Sequence, residues 1–346
     1  MREGASGSGR ARLQREGPRE IEPSSAALEP PRSNFSTVFV ENSTATGQSE
    51  TRSAVDGTPP ERRRRQGENA RKPSEDMPRL VVSDRQWRRV RGFLTVKRGR
   101  KAKNLRKQLE AWLWIFRTGA PWRDLPRFFG RWNSVYQAFR RMCTRGVFLQ
   151  MFMSLVKQGD LTIVMVDGSF VKVHQHAVGA RRGERTPEES RVAQAIGKTK
   201  GGLNTNLLAL TDKNGKLVAF SLIPGNWYEA HSLARLLEGL PVSEIEELLA
   251  DKAYDTNAVR EMLAEMGIDA TIPSKSNRKE PIPHDHYSYK GRHLIENLFV
   301  DLKEFRGIAS RYHKLAAMFC AGIHLVTWHL RTRGRKERRS EYLSGR

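Results

Sequence analysis

Two aspartates, Asp167 and Asp251, each close an apolar run, TIVMV and ELLA. A carboxylate in such a place is costly unless it is paired, hydrogen-bonded or bound to a metal ion. A third acid, Glu296, lies in YKGRHLIENLFVDLKEFRG, Tyr289 to Gly307. Wound as a helix at ~100° per residue, this stretch puts Tyr289, Arg292, Glu296 and Lys303 on one stripe about 60° wide. Leu294, Ile295, Leu298, Leu302 and Phe305 fall on the other side, as an apolar face that can pack. Two strand-end aspartates and a helix glutamate can gather two divalent cations, which activate a nucleophile and stabilise the leaving oxygen of a phosphodiester. Their hard oxygens select Mg²⁺ or Mn²⁺ rather than zinc. Taken singly, each aspartate reads equally well as a loop-facing cap. The stripe alone reads as a solvated face held by an Arg292–Glu296 pair worth roughly 0.3 kcal/mol.

Phosphodiester chemistry needs a polyanionic substrate, and the charge of the chain is suited to one. The 346 residues carry 61 Lys and Arg against 38 Asp and Glu, a net charge of +23, which points to nucleic acid. The two cysteines, Cys143 and Cys320, are far apart and lack a Cys-x-x-Cys spacing. They exclude a cysteine zinc ribbon or disulfide framework and suit a reducing compartment. No apolar run reaches the ~18 residues a membrane span requires, and the first twenty residues lack the apolar core of a secretory signal. A cytoplasmic, nucleoid-associated protein without membrane contact is expected.

The elements that must position these residues follow a clear order. Residues 1–76 are rich in Ser, Gly, Pro, Glu and Arg with nearly balanced charge, and read as a disordered extension. The abrupt change at Met77 suggests that the native chain starts there and that the extension is read-through. Residues 77–158 form a helical domain: Ser83 offers an N-cap, and Gly119 and Pro121 close a second helix. There Trp112, Trp114, Phe116 and Trp132 alternate with Arg and Lys, as either the core of a small domain or stacking faces beside phosphate-binding charge. Residues 159–332 change character. LTIVMVDGSFVKVH reads as a strand, and NLLALTDKNGKLVAFSLI as a hairpin turning at Asn214-Gly215. EIEELLADKAY and DATIPS are short strands around a helix capped by Asp255, and an apolar helix and a basic tail, residues 333–346, follow Gly307. The fold class is α/β with a mixed sheet.

At this point the chain resembles a known family. Residues Met77 to Leu330 are similar to the bacterial insertion-sequence transposases of the DDE class, in insertion-sequence family five. Tyr289, Arg292, Glu296 and Lys303 match at every spacing the Y-x-x-R-x-x-x-E-x-x-x-x-x-x-K signature of related insertion-sequence transposases. MVDGSFVKVHQHAVGA and LLADKAYD resemble the segments that hold the first and second aspartates. IGKTKGGLNTNLLALTDKNG and PWRDLPRFFGRWNSVYQAF resemble two further blocks. The resemblance implies a ribonuclease-H-like catalytic domain behind an all-α DNA-binding domain. It implies Asp167, Asp251 and Glu296 as the catalytic, metal-binding triad, with Tyr289, Arg292 and Lys303 on DNA near the cleaved phosphate. The implied reaction binds the terminal inverted repeats of the element, cleaves its ends by metal-dependent hydrolysis and joins the 3′-hydroxyl to target DNA. A homodimer or larger synaptic complex on double-stranded DNA is implied too. A DNA-binding remnant without catalysis, and a nuclease without strand transfer, are the alternatives.

Other polar residues have plainer readings. His174, on the strand after Asp167, is expected to support the site or touch DNA, and His284 and His286 to lie in a polar loop. Gly201 and Gly202 read as a turn before a strand. Glu229 stands where members of the family often carry an acid, and keeps that charge.

Overall fold

The computed structural model describes residues 78–95, 104–180 and 186–333. The extension 1–76, Met77 and the tail after Arg333 lie outside the described residues. The helical part comprises α1 (Asp84–Leu94), α2 (Leu105–Thr118), α3 (Trp132–Thr144) and α4 (Val147–Val156). Ser83 caps α1 in a reciprocal capping box with Gln86. Gly119, left-handed at φ 68°, ends α2. Trp112 and Phe116 are fully buried, each against Phe139, and burial of that kind stabilises by roughly 2–3 kcal/mol per side chain. Those two aromatics are therefore core, whereas Trp114 and Trp132 are only half-buried.

Among the described residues seven strands follow: β1 (Ile163–Val173), β2 (Gly197–Thr199), β3 (Gly202–Thr211), β4 (Leu217–Pro224), β5 (Glu247–Leu249), β6 (Asp269–Thr271) and β7 (Ser310–Arg311). β3 pairs antiparallel with β1 and β4, and the turn between β3 and β4 places Gly215 at φ 68°, as its sequence predicts. β5 runs parallel to β1 on the other side, and β6 parallel to β5. The antiparallel β4, β3 and β1, continued by the short parallel β5 and β6, form a mixed sheet, with β2 on β3 and β7 on β1.

The sheet is covered by α5 (Pro187–Ala193), α6 (Leu233–Leu237), α7 (Asn257–Glu265), α8 (His286–Tyr289), α9 (His293–Lys303), α10 (Arg306–Ala309) and α11 (Ala316–Thr332). α11 is apolar around most of its circumference, so it belongs in a core. It packs against α2, α3, α4, α9 and β4. Polar contacts fix it there: Gln86 donates to the His329 carbonyl at 3.1 Å and to Thr332 at 2.9 Å. Arg331 donates to the carbonyls of Leu217 and Leu155, each at 3.1 Å. The N-terminal helices and the sheet thus share one continuous core. Among the described residues, no helix is long and apolar enough to cross a membrane.

Three local expectations are corrected. Tyr289 to Gly307 is not one helix: a 3₁₀ turn over Lys290–Arg292 separates α8 from α9. The buried face begins only at Ile295, and Gly291 upstream favours a break. Asp167 lies in the middle of β1, not at its end, because β1 continues to Val173 through pairing with β3 and β7. Asp255 does not cap α7; Thr256 does, accepting from the Val259 amide at 3.2 Å. Asp255 is instead buried between Arg260 at 2.8 Å and Arg278 at 3.0 Å.

Candidate active site

The pleat of β1 sends Asp167 and Ser169 to one face and Gly168 and Phe170 to the other. On the first face lies the segment from the 3₁₀ turn to the end of α9. Arg292 donates from Nη1 to Asp167 Oδ2 at 2.8 Å, and Lys303 Nζ donates to Ser169 Oγ at 2.7 Å. Arg292 also donates from Nη2 to Glu296 Oε1 at 2.7 Å. One guanidinium therefore joins two of the three acids. Burial raises the pKa of Asp167 above its usual range despite the opposing pull of Arg292 and of the Gly168 amide.

The register of the sheet brings in the third acid. Met165 stands opposite Leu249 in the parallel β1–β5 pair, so two residues further along each chain reach Asp167 and Asp251. Adjacent strands are ~4.8 Å apart. Asp251 leaves β5 into a 3₁₀ turn and accepts from the Ala253 amide at 2.7 Å. Its charge adds to the rise at Asp167.

A fourth acid comes from the face behind. Glu229 accepts from Asn206 Nδ2 at 2.6 Å and from the Tyr254 hydroxyl at 3.0 Å. Its carboxylate fills the space that a Cβ on Gly168 would need, so only glycine fits beside Asp167. Burial raises its pKa, and the charges of Asp167 and Asp251 add to the rise. Tyr254 is pushed well above the usual phenol range by burial and by the carboxylate it faces.

In sequence Glu229 shows only a retained charge, and Gly168, Asn206 and Tyr254 do not stand out. The available signals were a glycine directly after an acid within a strand and a Tyr three residues after Asp251. Tyr289 lies beside the site, its ring 5.5 Å edge-on from His284. His174 is not brought to the acids; it lies past the far end of β1, 5.0 Å from the ring of Tyr312.

The donor chemistry fits a hard divalent cation, since Asp167, Asp251 and Glu296 offer oxygen alone. Among the described residues, no three acid, His or Cys side chains yet stand close enough to enclose one. Glu296, 56% exposed, is turned onto Arg292.

Comparison with known proteins decides the family. Residues 158–330, half of the chain, match the "Transposase DDE domain", and residues 82–152 match "Putative transposase of IS4/5 family". The chain belongs to the IS4/5 family of DDE transposases. This transposase is 33% identical over 126 residues to the "Putative transposase for insertion sequence element IS6501" of Brucella ovis, covering 36% of the chain and 95% of that protein. It is 42% identical over 112 residues to the uncharacterized protein y4sN of Sinorhizobium fredii, covering 31% of the chain and 89% of the relative. A pre-cleavage Mos1 transpososome aligns with 68% of the chain and 80% of its own at 15% identity and a TM-score of 0.23, a likeness too weak to support comparison of sites. As a DDE transposase the protein is an enzyme of DNA transposition, with DNA as partner and a divalent metal requirement.

Proposed function

We propose that this transposase binds the terminal inverted repeats of its insertion sequence, hydrolyses the phosphodiester at each element end and joins the freed 3′-hydroxyl to target DNA. The observation that carries the proposal is the convergence of Asp167, Asp251 and Glu296 from three distant parts of the chain, two of them on one Arg292 guanidinium. Asp167, Asp251 and Glu296 would hold two Mg²⁺ or Mn²⁺ ions, whose chemistry when bound is to activate the attacking oxygen and stabilise the leaving one.

The chain's own groups do the positioning. Lys303 and Tyr289, flanking the acids on the same segment, orient the scissile phosphate. Arg292 neutralises Asp167 and Glu296 while DNA is absent, and turns to a phosphate oxygen when DNA arrives. Glu229 and Gly168 hold β1 so that Asp167 faces the substrate. Water then attacks phosphorus, and the 3′-oxygen leaves with a proton. In the second step that hydroxyl attacks a target phosphodiester and displaces another 3′-oxygen. Two element ends must be held together for paired joining, so a homodimer or larger synapse is the working form.

The test is a strand-transfer assay with purified protein, Mg²⁺ and a fragment ending in the element's inverted repeats. Cleaved 3′ ends and joined products are expected. Cleaved ends without joined products would leave a nuclease and overturn the transfer step.

A further inference from the structure

Glu247 is an acid that the reaction does not use, and it opens β5, the strand that leads to Asp251. Alternation along β5 puts Glu247 and Leu249 on one face. That face meets the segment that carries Tyr289 and Arg292. Ser288 Oγ donates to Glu247 Oε2 at 2.7 Å, and a Cβ on Gly291 would stand 3.8 Å from Leu249 Cδ2. Thr271 of β6 donates to the other carboxylate oxygen, Oε1. Among the described residues no cation pairs with Glu247, so two hydroxyls hold its charge.

α8 needs such an anchor. It is four residues long, and a single turn of helix has no stability of its own. Asp285 caps it, accepting from the Tyr287 amide at 2.7 Å, but that contact lies within the same short segment. Tyr287 is 84% exposed and packs on nothing that could fix the helix. After Tyr289 the chain enters the 3₁₀ turn at Lys290–Arg292, so α9 does not dictate the direction of α8. Among the described residues, Ser288 to Glu247 is the one hydrogen bond that joins α8 to the sheet. A carboxylate only accepts, so each of its oxygens suits a hydroxyl donor.

We propose that Glu247 is a positioning residue: through Ser288 it fixes α8 on β5, and so sets the Tyr289 hydroxyl relative to Asp251 for the reaction. One strand thereby leads to an acid of the centre and also places the group that orients the phosphate beside it. The inference rests on the reading that Tyr289 orients the scissile phosphate.

The test is a double-mutant cycle, read as the rate of 3′ cleavage at saturating DNA and Mn²⁺. Ser288→Ala removes the hydroxyl without altering Glu247 or Tyr289, and should slow cleavage about tenfold through misplacement alone. Its affinity for the end duplex and its half-saturating Mn²⁺ concentration should stay as in the wild type. Ser288→Thr keeps a hydroxyl and should restore most of the rate. Glu247→Leu, which cannot accept, should slow cleavage as much as Ser288→Ala and add nothing to it. In a Tyr289→Ala background Ser288→Ala should slow cleavage no further, because the group to be placed is gone. Cleavage by Ser288→Ala at the wild-type rate would overturn the inference. An equal loss with and without Tyr289 would do so too, since that marks a general loss of fold. Cleavage by Tyr289→Ala at the wild-type rate would instead overturn the reading of Tyr289, and the inference with it.

Discussion

Arg292 stands 2.8 Å from Asp167, a residue 125 positions earlier in the chain, and holds Glu296 with its other nitrogen. The guanidinium thus occupies the charge-neutralising place that a divalent cation would take. Arg292→Gln should therefore raise the affinity of the DNA-free protein for Mn²⁺ by about tenfold, a coupling of ordinary size. Titration calorimetry without DNA measures this. The same variant should cleave DNA more slowly, because the phosphate loses a partner. Unchanged Mn²⁺ affinity would mean that Arg292 does not compete for the acids.

Gly168 and Glu229 form a second coupled pair. A methyl group on Gly168 would enter the Glu229 carboxylate, and such overpacking costs about 2 kcal/mol. Urea unfolding should show Gly168→Ala destabilised by that amount. The double variant Gly168→Ala with Glu229→Ala should be no less stable than Glu229→Ala alone.

Asp255 governs the acid limb of stability. Burial alone would raise its pKa, but Arg278, the Lys275 amide and Arg260 together hold it down at about 2. Its folded pKa thus lies below the ~3.9 of an unfolded aspartate, so its contribution, on the order of 2 kcal/mol, is complete above about pH 4 and is lost as pH falls towards 2. Asp255→Asn should lower stability at neutral pH and flatten the decline between pH 4 and 2, as read by unfolding at each pH. An unaltered acid limb would place the controlling group elsewhere.

Arg311 in β7 ties the segment before α11 to β3. It is buried, and its guanidinium donates to the Gln194 carbonyl at 2.6 Å, the Thr205 hydroxyl at 2.7 Å and the His313 carbonyl at 3.1 Å. An ammonium group cannot reach all three from one point. Arg311→Lys should therefore cost about 2 kcal/mol through acceptors left unpaired, measured as a lowered Tm.

Much of this was legible before the fold. The apolar run into Asp167, the hairpin at Asn214-Gly215 and the closing helix each follow from local pattern, and Met165 opposite Leu249 turns two separate acids into neighbours. What was not legible depends on distant parts of the chain. Phe170, 53% exposed, and Lys172 continue β1 past Asp167 only because β3 and the two-residue β7 pair with it. Glu229 reaches the acids through a gap left by a glycine on another strand. Thr256 took the cap from Asp255 because Arg260 and Arg278 claimed that carboxylate. The helix read from Tyr289 broke at Gly291, where there was nothing yet to bury.

We propose that Asp167, Asp251 and Glu296 form one metal-dependent centre. It is tested most directly by 3′ cleavage at the element ends by Asp251→Asn in the presence of Mg²⁺, with DNA affinity measured alongside. Wild-type DNA binding and no detectable cleavage are expected. Cleavage at the wild-type rate by this variant would contradict it.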